Sequence, residues 1–135
     1  MPKVTIVPCS GIGKSYGTVA REGAHVVTED LRPEGTQLVP LSLLVLGDEA
    51  ARASITDAQV ITIDGCKLAC AAKVVAESGG EVARNLAVFD VYRRHRDLKP
   101  AGIAELNEAG KKLADALAKD VAEHVDTLRE EVQDA

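Results

Sequence analysis

The hydrophobic positions of this chain change rhythm several times, and each rhythm predicts an element. Lys3 to Val7 reads KVTIV, a short β-branched run, and the glycine-bearing stretch from Cys9 to Ser15 that follows is the turn expected between a strand and a helix. From there Tyr16, Ala20, Ala24, Val27 and Leu31 recur every three or four residues and predict a long amphipathic helix, which Arg32-Pro33-Glu34-Gly35 stops. Thr36 to Val39 reads as a second strand, Leu41 to Leu46 as an apolar turn or helix start, and Asp48 to Ser54 as a helix. Gln59 to Ile63 (QVITI) is the third strand, cut by Asp64-Gly65. Helix formers from Lys67 to Glu77 end at Ser78-Gly79-Gly80, as a helix C-terminus does, and lead to a fourth strand at about Leu86 to Val91.

Strands alternating with helices imply a parallel sheet with right-handed crossovers. The predicted fold is a single α/β domain, Rossmann-like, with a four-stranded, mainly parallel sheet in the order 2-1-3-4 and flanking helices, over residues 1–100. Residues 101–135 differ. From Ala101 to about Val132 there is no proline, and Ile103, Leu106, Leu113, Leu117, Val121, Val125, Leu128 and Val132 form one stripe. Its mean spacing of roughly 3.6 suits a straight helix. Such a helix either packs on the domain or pairs with a partner, a second subunit included.

Composition removes several functions. The chain has 135 residues, 46% of them hydrophobic, and a net charge of −5, so it is a one-domain globular protein without the global attraction to phosphate that nucleic-acid binding requires. Its aromatic residues are Tyr16, Phe89 and Tyr92, too few for a base-stacking platform. The apolar run Leu38–Leu46 is about half of the roughly 20 residues a membrane span needs, and Val4–Val7 is too short for a secretory signal. The expectation is a cytoplasmic protein with no nucleic-acid or membrane partner.

In a reducing compartment the three cysteines, Cys9, Cys66 and Cys70, point to thiolate chemistry or metal binding when weighed against plain burial. Cys9 falls just after the first strand and Cys66 just after the third, at one edge of the sheet, where open parallel sheets bind their ligands. Cys70 lies four residues beyond Cys66, so a helix there would place both sulfurs on one face. Cys66 would then sit at the helix N-terminus, whose amides and dipole favour a thiolate.

The run Asp64-Gly65-Cys66-x3-Cys70, with VITI ahead of it and a Cys9-Ser10-Gly11 turn after the first strand, resembles the DGC-domain family of proteins inferred to bind zinc. The resemblance runs from PCSGIGKSYGTVARE through LGDEA and IDGCKLACAAK to HRDLKP. It implies a metal site on Cys9, Cys66 and Cys70, with Asp64 and Gly65 supporting it. Similar proteins carry a further cysteine after the second strand. In this chain the segment reads LSLLVLGDE, so Ser42 occupies the fourth-ligand position. A serine hydroxyl stays protonated at neutral pH and is a poor zinc ligand. Three thiolates with one position open suit zinc, or an iron–sulfur cluster with one exchangeable iron. Either makes this a small metal-site protein, a carrier of metal or sulfur or an accessory to a metalloenzyme.

The same residues carry a rival chemistry. Pro8 to Ser15 is one residue from the phosphate-binding G-x4-G-K-[ST] pattern, and Cys9-x5-Ser15 resembles the phosphocysteine loop of sugar-phosphotransferase B components. An anion-binding module would use Gly11, Gly13, Lys14 and Ser15. His25, His95 and His124 lack ligand spacing to the cysteines and read as surface or packing residues. The basic run Arg93 to Lys99 reads as a solvated face.

Overall fold

The computed structural model describes residues 3–9, 14–65, 69–102 and 105–133. Its centre is a four-stranded sheet in the order β2-β1-β3-β4, with every pairing parallel. β1 (Val4–Pro8) and β3 (Val60–Asp64) are buried along their whole length, which explains their near-continuous β-branched sequences. β2 (Thr36–Leu38) and β4 (Val82–Ala87) are the edges. The predicted fold class and strand order are those observed.

The strands alternate sides. Val4, Ile6, Ile61 and Ile63 pack with α1 (Ser15–His25), α5 (Val88–Arg94) and α6 (Glu108–Gln133) on one face. Val7 and Val60 pack with α2 (Leu41–Leu46), α3 (Glu49–Ile55) and α4 (Cys70–Glu77) on the other. The stripe of α6, including Leu113, Leu117, Val121, Val125 and Leu128, is buried within the chain's own first face. A Cβ on Gly23 would lie 2.8 Å from Leu117 Cδ2, so glycine is what allows α1 and α6 their close approach. The three aromatic rings gather where α1 meets α5, with Tyr16 edge-on to Phe89 at 6.5 Å and tilted to Tyr92 at 6.0 Å.

Three predicted elements shift, the first being the C-terminal helix, which begins at Glu108 and not at Ala101. The fourth strand begins at Val82, not Leu86, and Val88–Arg94 is a helix. β4 is half-buried along most of its length, so it lacks the apolar signature of the central strands, which the first turns of α5 supply instead. The helix expected from Lys67 begins at Cys70, because Ala69 ahead of it takes a left-handed conformation (φ 55°) that interrupts any helix running through it. The π-helical turn Val26–Leu31 continues α1 to the expected end. There Arg32 makes a two-point ion pair with Asp126 of α6, Nε–Oδ1 at 2.8 Å and Nη2–Oδ2 at 2.7 Å. The Arg32 guanidinium holds the Asp126 carboxyl below its ordinary range, and Arg32 is raised in turn, in both cases chiefly through their hydrogen bonds.

Candidate functional site

Strand order reverses between β1 and β3, since the chain leaves β1 toward α1 on one face and leaves β3 toward α4 on the other. A crevice opens at the carboxyl ends of such a pair. Cys9 lies there, buried, directly after β1, and its N–H donates to the Ile63 carbonyl at 2.7 Å. The end of β1 is thus fastened to the residue that precedes Asp64-Gly65.

Asp64 is buried and faces α4. Its Oδ1 accepts from the Ala71 N–H at 2.7 Å and its Oδ2 from Asn85 Nδ2 at 2.9 Å, while the same Asn85 nitrogen donates to Thr62 Oγ1 at 2.7 Å. The carboxylate therefore ties the end of β3 to the first turn of α4. Gly65 serves the other side. A Cβ there would lie 3.1 Å from Gly17 N and 3.2 Å from the Tyr16 carbonyl carbon, so the first turn of α1 rests directly on the Gly65 backbone. Space, not dihedral freedom, demands glycine at this position. Asp64 and Gly65 thus brace the end of β3 against the first turns of α4 and α1.

Cys70 is the first residue of α4 and is exposed. Because α4 starts there, the helical turn expected to align Cys66 with Cys70 is interrupted at Ala69. Cys66 itself, with Gly11 and Gly13 of the first loop, lies outside the described residues. Ser42 is exposed on the first turn of α2 rather than at the end of β2, and α2 packs against α4. Ser42 and Cys9 line one cavity of about 480 Å³; Cys70 is not among its lining residues. Lys14 is extended and exposed ahead of α1, and the Ser15 hydroxyl lies 3.5 Å from the Pro100 carbonyl. In the basic run, Arg94 pairs with Asp120 of α6.

The same cavity contains two residues that the spacing to the cysteines did not single out, Arg21 and His25. Their signal was present, since two basic side chains four residues apart share a face of the helix that follows Cys9.

The donor chemistry suits a soft metal. Cys9 offers a buried sulfur and Cys70 an exposed one, and no group of three histidine, cysteine, aspartate or glutamate side chains among the described residues could hold a metal ion. A thiolate site in this crevice therefore requires Cys66. Among the described residues no helix is long and apolar enough to cross a membrane. Residues 5–110 match the family model of the DGC domain. No curated protein and no solved structure matches the chain.

Proposed function

Because this chain belongs to the DGC domain family, we propose that it is a cytoplasmic metal-site protein holding zinc, or in second place an iron–sulfur cluster, on the thiolates of Cys9, Cys66 and Cys70. The observation that supports the reading is the fastening of Cys9 to Ile63 at the end of β3, three residues ahead of Cys66 in the sequence. Soft sulfur donors select zinc or iron–sulfur over hard cations. Three protein thiolates leave one coordination position for water, substrate or cargo.

The chain's own residues do the rest. Asp64 fixes the start of α4 and hence the Cys70 backbone. Gly65 sets the spacing between the end of β3 and the first turn of α1. Ser42, beside the cavity that Cys9 lines, occupies the fourth-ligand position without a thiolate to offer. An open site of this kind suits a carrier of metal or sulfur, or an accessory to a metalloenzyme, better than a permanently closed structural site.

Metal content of the purified chain and its Cys9→Ala, Cys66→Ala, Cys70→Ala and Lys14→Ala variants tests the reading. Each cysteine variant is expected to lose most of the metal and Lys14→Ala to keep it; visible absorption separates a cluster from colourless zinc. Metal retained in Cys66→Ala and Cys70→Ala, with phosphate affinity lost only in Cys9→Ala and Lys14→Ala, would replace it with the anion-binding loop. Ser42→Cys is expected to slow metal loss to a chelator by supplying a fourth thiolate.

A further inference from the structure

The cavity beside Cys9 has two basic groups on one wall and apolar side chains on the others. Arg21 and His25 come from α1, while Leu38, Pro40 and Leu41 come from β2 and the start of α2. The Arg21 Nη2 donates to Thr18 Oγ1 at 3.2 Å, but its Nη1 is buried with no hydrogen-bond partner. No carboxylate among the described residues forms an ion pair with Arg21. With so little accessible surface Nη1 is closed to the cavity's contents, so a ligand meets the guanidinium at the part of Arg21 that lines the cavity, where its charge has no carboxylate partner among the described residues. The acceptor that best matches a planar guanidinium fork is a planar pair of anionic oxygens. His25 stands at the mouth, its side chain 54% exposed and its Nδ1 3.4 Å from Glu29 Oε1.

We infer that this cavity binds a small organic carboxylate, its carboxylate group paired with the Arg21 guanidinium and its short apolar body lying on Leu38, Pro40 and Leu41, next to the Cys9 thiol. An inorganic oxyanion would fill little of the roughly 480 Å³ and leave the apolar walls unmatched. The inference goes beyond the metal reading and does not rest on it. Arg21 provides the charge whether or not the cysteines hold a metal.

Calorimetric titration of the chain with butyrate as the probe, and with butanol and inorganic phosphate as comparators, tests it. Butyrate is expected to bind saturably, with butanol and phosphate each at least about tenfold weaker. Arg21→Gln is expected to weaken butyrate at least about tenfold and Arg21→Lys to restore part of the loss, since lysine keeps the charge without the fork. Lys99→Gln, in the basic run outside the cavity lining, is expected to change nothing. Absent butyrate binding, equal binding of butanol, phosphate as tight as butyrate, or unchanged affinity in Arg21→Gln would each overturn the inference. Binding lost only when metal is stripped would put the carboxylate on the metal rather than on Arg21, and would overturn it as well. Should Arg21→Gln fail to fold, backbone amide shifts in the unmodified chain decide. Butyrate-induced changes at Arg21, His25 and Leu38 support the cavity, and changes confined elsewhere refute it.

Discussion

The two faces of the sheet are held by different forces. Under α1, α5 and α6 the contact is aliphatic, with Leu113, Leu117, Val121 and Val125 of the long helix closing over Ile6, Ile61 and Ile63. Under α2, α3 and α4 the apolar cluster is smaller and a line of polar side chains lies in the sheet surface beside it. There Thr5 Oγ1 donates to the Ser54 carbonyl and accepts from Gln37, and Asn85 bridges Thr62 and Asp64. Apolar burial is strong but non-directional, whereas a hydrogen-bonded network fixes positions and is costly when partly broken. The first face supplies cohesion. The second fixes the end of β3 and the start of α4 at the crevice.

Substitutions on each face should separate the two roles. The largest effect is expected from Leu117→Ala, which leaves a cavity in the aliphatic face and should cost about 2–5 kcal/mol in denaturant unfolding. Metal affinity of the folded protein should hardly change, and a large change there would break the division between the faces. Asp64→Asn comes next. Asp64 receives two N–H donors, and an amide offers only one acceptor oxygen, so one donor is stranded at about 2 kcal/mol. Here metal retention should fall as well, and amide exchange at Ala71 should accelerate.

Gly65→Ala forces the α1 backbone away from contacts of 3.1 and 3.2 Å, at about 1–2 kcal/mol. Backbone shifts at Tyr16 and Gly17 are the check, and an unshifted α1 would show that its first turn is not braced against the end of β3. The smallest effect is expected from Asp126→Asn. Both partners of the Arg32 pair are partly exposed, so solvent screening limits it to about 0.5 kcal/mol at neutral pH. Asp126 is more acidic folded than unfolded, so its contribution is present above the unfolded carboxylate value of about 4 and fades as pH falls through the lower folded value. Wild type and variant should therefore differ in stability at neutral pH and converge in strong acid. A gap independent of pH would mean the pair acts through packing.

Much of this architecture could be read from the residues. β1 and β3 announced themselves because strands buried on both sides are β-branched throughout, and the strand–helix alternation yielded the order of the sheet. β4 was displaced because an edge strand needs no such signature, and its neighbour Val88–Arg94 opens with the apolar residues a strand would use. The start of α4 was misplaced because alanine and lysine favour helix locally, while the Asp64 bond to Ala71 N–H comes from the preceding strand. In the crevice, the position of Cys9 followed from topology alone. Arg21 was legible only as a basic residue on the helix face it shares with His25; that it lines a cavity without a carboxylate partner among the described residues emerges only once neighbouring elements are in place.

The bracing at Asp64 and Gly65 also limits how the crevice can change over mutational time. Both positions answer to the scaffold: one must present two acceptor oxygens to the far side of a loop, the other must have no side chain at all. Neither can be altered to suit a new ligand without loosening a helix. The latitude lies at exposed positions such as Ser42 and Cys70, where a side chain can be exchanged without stripping the core. Drift in ligand preference should therefore accumulate around the Asp-Gly step while the step itself stands still.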